Sequence, residues 1–200
     1  MLFFNYSNII DPLLRDVRTF TAKFSGAKDG DKILDVCCGT GDQLFHFAKL
    51  GIKAVGIDIN PEMIKIAKKR KDKLGVKTIS FLIGDAAELP FKENSFDFSL
   101  ISLGLHEVKE SLRDKIIFEM KRVVKRNGFL IFIDFKSPLP KSSYSLFVKT
   151  VEYFAGKEHF KNYLKNGGLP ALLEKNKLKP EKNDYLMSGL IAITKAKNTL

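Results

Sequence analysis

Short apolar runs that end at a glycine or a carboxylate alternate, over residues 32–133, with longer segments whose apolar positions return every three or four residues. The run Lys32–Val36 predicts a strand, and residues 44–50, closed by Gly51, predict a helix. Lys53–Asp58 predicts a second strand. Asn60-Pro61-Glu62 follows with a cap, a proline at the first helical position and an early acid, so a helix starts there. That helix is expected to turn Met63, Ile64, Ala67 and Leu74 inward and to end at Gly75. Residues 78–83 and 96–101 predict a third and a fourth strand. A capping-box-like start at Ser111 opens a helix with Ile116, Ile117, Met120, Val123 and Val124 on one face, and Asn127-Gly128 turns the chain into a fifth strand over 129–133. Strands that alternate with helices in this way predict an α/β fold built on a parallel sheet.

The ends of the chain carry weaker patterns. Residues 6–23 are expected to form a helix over the mouth of the sheet, started by Asp11-Pro12 and packed through Leu13, Leu14, Val17 and Phe20. Beyond Asp134, Ser137-Pro138-Leu139-Pro140 breaks the pattern, and a segment rich in aromatics and lysine predicts helices over 144–155, 157–165 and 170–176. Residues 186–195 are expected to supply the terminal strand of a hairpin with Leu178-Lys179-Pro180.

The turn after the first strand holds the most specific chemistry. Asp35-Val36-Cys37-Cys38-Gly39-Thr40-Gly41-Asp42 joins a strand to a helix through glycines, which admit positive φ and close approach of a ligand. Free amides at the start of the helix favour an anionic group. Two nucleoside cofactors compete for such a turn. A dinucleotide site wants a small residue at the third position of G-x-G-x-x-G/A, where this chain has Leu44, and its pyrophosphate is repelled by Asp35. S-adenosylmethionine has no phosphate; a carboxylate attracts its ammonium while the glycine amides take its carboxylate. Asp58 ends the second strand and can accept from two ribose hydroxyls at once. Asp85 follows the third strand, where it can accept from an adenine amino group while the amide of Ala86 donates to the ring; it can equally cap the turn that follows. Ligands of open α/β sheets bind outside the carboxyl ends of the strands, where all three acids fall.

These motifs, ILDVCCGTG at 33–41, VGIDINPEM at 55–63, GDAAELPFKENSFDF at 84–98 and EMKRVVKRNG at 119–128, resemble those of the class I S-adenosylmethionine-dependent methyltransferases, close to the quinone-biosynthesis C-methyltransferase type. The resemblance covers roughly residues 6–135. It implies a three-layer, Rossmann-like fold with a seven-stranded, mostly parallel sheet whose last strand is antiparallel. It further implies one methyltransferase domain over 1–200, with a helical cover at 1–26 and a helical substrate-side insertion at 136–177. On this resemblance Asp35 and Gly39, Thr40 and Gly41 face the methionine part, Asp58 the ribose, and Asp85 with Ala86 the adenine; Cys37, Ile59, Met63 and Ser102 complete the cofactor set. The pair His106-Glu107 departs from the polar pair that the quinone type carries at this place.

Composition narrows the classes. Two hundred residues with 44% hydrophobic content and 17 Phe suit a single core. No apolar stretch reaches the roughly 20 residues of a membrane span, and the first residues lack a basic segment followed by a long apolar one. The two cysteines are adjacent and cannot staple distant segments, which fits a reducing, cytoplasmic setting. Two cysteines and three scattered histidines make no zinc pattern, so no metal is expected. The net charge of +11 raises the question of nucleic acid, but it comes from 28 Lys against 6 Arg spread over helices and turns, as at residues 65–71. Base-nitrogen methylation would place an Asn/Asp-Pro-Pro-aromatic turn after the fourth strand, where this chain reads Ser102-Leu103-Gly104-Leu105-His106. Pyrimidine-carbon methylation needs a cysteine nucleophile beside the substrate, and Cys37 and Cys38 sit in the cofactor turn instead.

Residues 102–107 therefore face the reaction. Methyl transfer is an in-line displacement, so the protein has to align the partners, exclude water and dispose of a proton. His106 can take that proton near neutrality, orient the substrate, or simply be satisfied at a helix start. Glu107 is a second acid at the same place, and Asp97 is expected to tie down the loop before its strand. Tyr6 at the mouth, and Tyr144, Phe154, His159, Phe160 and Tyr163 in the insertion, are candidate substrate contacts or core aromatics. The expected function is S-adenosylmethionine-dependent methylation of a small, quinol-like or phenolic acceptor. An RNA or protein methyltransferase and a dinucleotide oxidoreductase are the alternatives. The acceptor atom and the oligomeric state are not readable from the chain.

Overall fold

In a computed structural model, which describes residues 14–141, 145, 146, 148 and 158–199, the apolar runs assemble into one sheet. In chain order the elements are α1 (Arg15–Ser25), β1 (Lys32–Val36), α2 (Asp42–Ala48), β2 (Lys53–Asp58), α3 (Pro61–Lys73), β3 (Ile79–Ile83), β4 (Phe96–Ser102), α4 (Glu110–Val123), β5 (Val124–Phe135), α5 (Glu158–Lys165), α6 (Gly168–Lys175), β6 (Pro180–Leu186) and β7 (Ile191–Lys197). The seven strands lie in the order β3-β2-β1-β4-β5-β7-β6. Strands β1 to β5 pair in parallel, β7 runs antiparallel to β5, and β6 runs antiparallel to β7. This is the mostly parallel sheet with an antiparallel last strand that the motifs imply. The chain leaves β1 toward β2 on one side and returns to β4 on the other, so a crevice opens between the carboxyl ends of β1 and β4.

Both faces of the sheet are covered, and successive residues of a strand serve opposite layers. Ile33, Leu100, Ile131 and Ile193 pack with Val17, Phe45, Phe47 and Ile64 on one side. Leu34, Val36, Ile101 and Phe132 pack with Ile116, Met120, Tyr163 and Leu173 on the other. The start of α3 follows the cap signal: the Asn60 side chain accepts from the Glu62 N–H at 3.0 Å, with Pro61 at the first position. Gly41 ends the turn before α2 at φ 72°, and a Cβ there would lie 2.3 Å from the Phe81 ring, so only glycine lets the turn sit this close to β3.

Several boundaries differ from the expectation. Leu74 is 55% exposed and lies just past the helix, as the C-terminal cap of α3. Helix α4 begins at Glu110 without a side-chain cap, one residue before Ser111. Strand β5 already starts at Val124 and carries Asn127 within it at φ 67°. The hairpin is shifted too: β6 begins at Pro180, its turn passes through Met187, Ser188 and Gly189, and Leu178 belongs to the core. The N-terminal helix is described from Arg15; its Asp11-Pro12 start and Leu13 lie outside the described residues, as does most of the helix expected over 144–155. Among the described residues no helix is long and apolar enough to cross a membrane.

Candidate functional site

A cavity of about 440 Å³ opens at the carboxyl edge of the sheet, and Asp35, Asp58 and Asp85 all line it. Asp35 stands one residue before the end of β1 and is 1% exposed. Neither of its carboxylate oxygens has a hydrogen-bond partner among the described residues. Burial pushes this carboxyl well above its usual range; Arg18 pulls it back in part and Asp58 pushes it further up. Such an orphaned acid, aimed into a cavity, calls for a cation.

Asp58 closes β2 and locks the two turns together. Its Oδ2 accepts the Gly39 N–H and its Oδ1 accepts the Asn60 N–H, both at 2.8 Å. Ile59 and Met63 continue the wall beside it. Asp85 accepts the Ala87 N–H at 2.8 Å through Oδ1 while it lines the cavity, so turn cap and cavity wall coincide in one residue. Its loop is pinned from behind: Glu119 accepts the Leu89 N–H, and Arg122 donates to the carbonyls of Leu89 and Phe91.

Cys37 sits at φ 57° in the first turn, and its thiol is pushed up to about 12 by burial, then by Asp58, Asp35, Glu107 and Asp85. Four carboxylates thus bear on one point of the cavity. Burial raises Cys38 as well, and neither thiol is held as a thiolate nucleophile. Gly39, Thr40, Ala86 and Ser102 complete the expected set around the same hollow. Gly41 is absent from the wall and serves the packing against Phe81 instead.

Among the residues that the sequence patterns did not single out, the polar Arg18 of α1 and Gln43 of α2 also line the cavity. Arg18 donates to Asp42 Oδ2 at 2.5 Å, and Asp42 also holds Arg70. Gln43 donates through Nε2 to the Arg18 carbonyl at 3.0 Å. The signal was present in outline: Arg18 follows Val17 on the apolar face of its helix, where a charge has to meet a partner or a ligand.

Around the fourth strand, the acid at 107 is in the cavity wall and the imidazole at 106 is behind it. His106 is 3% exposed; its Nδ1 lies 2.6 Å from Asp134 Oδ1, and its backbone N–H donates to Asp134 Oδ2 at 3.2 Å. Phe135, Phe160 and Tyr163 ring it edge-on. Glu107 Oε1 lies 3.8 Å from His106 Nε2. Tyr163 is buried, with its hydroxyl donating to the Phe135 carbonyl at 3.2 Å, and the His159 carbonyl accepts from Arg113 at 2.8 Å; neither side chain lines the cavity. Phe160 is buried in the same aromatic cluster. Tyr6, Tyr144 and Phe154 lie outside the described residues. Asp97 accepts the Lys32 N–H at 2.9 Å and pairs with Lys125 at 2.6 Å, tying β4 to the start of β1.

Known proteins match both the chain and its fold. A model of the ubiE/COQ5 methyltransferase family matches residues 12–166. A demethylmenaquinone methyltransferase of Bacillus velezensis is 36% identical over 152 residues, which are 73% of this chain and 64% of that protein. The chain therefore spans a little under two thirds of that relative's length. Among solved structures, the PH0226 protein of Pyrococcus horikoshii superposes with a TM-score of 0.76 at 17% identity, covering 98% of this chain and all 100% of that one. A SAM-dependent methyltransferase of Aquifex aeolicus gives 0.68 at 22% identity, covering 90% and 89%. These likenesses carry the fold.

Proposed function

The chain belongs to the ubiE/COQ5 methyltransferase family, and on that premise we propose that its cavity takes S-adenosylmethionine and that the methyl group goes to a small quinol-type acceptor. The observation that carries this reading is the buried Asp35, unpartnered among the described residues, in a cavity wall with three further carboxylates. A sulfonium nucleoside with an ammonium answers that charge, and a pyrophosphate is repelled by it.

The residues fit the parts of such a molecule. Asp35 takes the ammonium, the turn at Gly39 and Thr40 closes over the amino-acid tail, and Arg18 with Gln43 faces its carboxylate. Asp58 keeps acceptor capacity for ribose hydroxyls beyond the two amides it already binds. Ile59 gives the adenine an apolar face, and Asp85 with Ala86 its polar edge. When bound, the cofactor supplies a methyl group activated by positive sulfur. Beyond Ser102 the wall turns aliphatic, with Leu103, Val108, Leu112 and Ile116. Such a surface suits a lipophilic ring and suits a polyanion badly. The name of the Bacillus velezensis relative, a demethylmenaquinone methyltransferase, supports an acceptor of this kind.

Calorimetry with S-adenosylhomocysteine and with NAD⁺ tests the cofactor, and mass spectrometry of reduced 1,4-dihydroxynaphthalene incubated with S-adenosylmethionine tests the acceptor class. Saturable binding of S-adenosylhomocysteine and a methylated product are the expected results. Preference for NAD⁺ would overturn the reading.

A further inference from the structure

We propose that Glu107 removes the acceptor's proton and that His106 and Asp134 form a buried dyad that positions it. The inference rests on the methyl-transfer reading and assigns a role that the reading leaves open. Of the two residues at the tip of β4, Glu107 reaches the cavity and His106 does not. A proton leaving the acceptor therefore meets the carboxylate, not the imidazole. With 46% of its side chain exposed, Glu107 touches both cavity and solvent, as a base that must shed its proton requires.

The dyad behind it is built to hold one orientation. Asp134 is 1% exposed, and it accepts the backbone N–H of Phe135 at 2.8 Å as well as both contacts from His106. These bonds fix the Nδ1 edge of the ring on Asp134 and leave Nε2 toward Glu107, 3.8 Å away. That is ion-pair range and longer than a hydrogen bond. The elements packed around the ring contribute few other charges. Helix α4 gives Arg113, whose Nε donates to the Leu105 carbonyl at 2.9 Å and whose guanidinium lies 5.5 Å from the centre of the Tyr163 ring. Helix α5 gives Tyr163 itself, and the first turn gives Cys37, on which Glu107 acts. In the step, the acceptor's electron pair forms the bond to the methyl carbon and the carbon–sulfur pair returns to sulfur. The acceptor's proton moves to a Glu107 carboxylate oxygen and from there to water.

The test uses the full chain. With three histidines, His46, His106 and His159, the imidazole signals can be assigned by substitution and titrated by NMR without any cofactor. Glu107→Gln is expected to move the His106 midpoint to lower pH by about one unit, since an opposite charge within a few ångströms favours the charged ring. With S-adenosylmethionine and 1,4-dihydroxynaphthalene, Glu107→Gln is expected to lower kcat by about 100-fold or more, with KM and S-adenosylhomocysteine affinity held. Glu107→Asp restores part of it. His106→Gln is expected to lower kcat several-fold, by less than Glu107→Gln does, and to move the acid limb of the kcat profile to higher pH. A Glu107→Gln enzyme with unaltered kcat, or a His106 titration indifferent to residue 107, overturns the proposal. If 1,4-dihydroxynaphthalene is not methylated, the titration alone decides it, whereas S-adenosylhomocysteine binding decides the cofactor reading separately.

Discussion

A buried carboxylate with no partner, as Asp35 is among the described residues, weakens the fold that holds it until a cation arrives. Its folded-state pKa is raised, so the penalty is absent below the unfolded value of about 3.9 and grows as pH rises toward the folded one. Asp35→Asn is accordingly expected to melt higher than the wild type near neutrality without ligand, the difference vanishing below about pH 4, and to lose most of its stabilisation by S-adenosylhomocysteine. Thermal unfolding across pH, with and without ligand, checks both halves. The two glycines nearby should separate in the same assay. Gly41→Ala drives a methyl into Phe81 at positive φ and is expected to cost about 2–4 kcal/mol. Gly39→Ala has open space around its Cβ and should cost about 1 kcal/mol, with the damage falling on ligand affinity. Asp35, Asp58 and Asp85 were legible because each ends an apolar run beside a turn, a signature that needs no tertiary information. Gln43 was not, since its role depends on which distant element swings it to the sheet edge; Arg18 showed only as a charge on an apolar helix face, and Glu107 only as a second acid beside His106.

Among the elements, a buried cation helps to join the insertion to the sheet, beside the Tyr163 hydroxyl bond to Phe135. Arg113 of α4 donates to the carbonyls of Leu105 and His159 and to the Asn162 side chain, so it ties the β4 tip to α5. In the sequence it read as an ordinary arginine in a helix, whose usual place is the surface. Arg113→Ala should strand these acceptors at a cost of about 3 kcal/mol. Hydrogen exchange is expected to quicken over 158–165 while the amides of β1 keep their protection. Helices α3 and α4 were readable from periodicity, because their inward residues recur at helical spacing. The β6–β7 hairpin was readable as a hairpin but not in its bounds: Pro180–Leu186 runs along the open edge with hardly a buried side chain and shows no alternation to set its register. The start of α4 was misplaced by two residues, from a cap at Ser111 to one at Lys109, for a related reason, its first turn having no side-chain cap to mark it.

At the scale of the whole molecule, a chain of net charge +11 surrounds a cavity lined with four carboxylates. The positive charge belongs to the outer faces, as with the exposed Lys68 and Lys69 of α3. Reversing Lys68, Lys69 and Lys71 to glutamate is expected to leave stability within about 0.5 kcal/mol and S-adenosylhomocysteine affinity unchanged. The same variant should lose whatever low-salt retention the wild type has on an RNA column, since such binding is counterion release and not a built site. The acidic interior has a consequence for turnover. On the proposed reading, sulfur is neutral once the methyl group departs, and the spent nucleoside faces those acids with one positive charge fewer. Delivery itself is thereby expected to weaken the pull of those acids on the carrier.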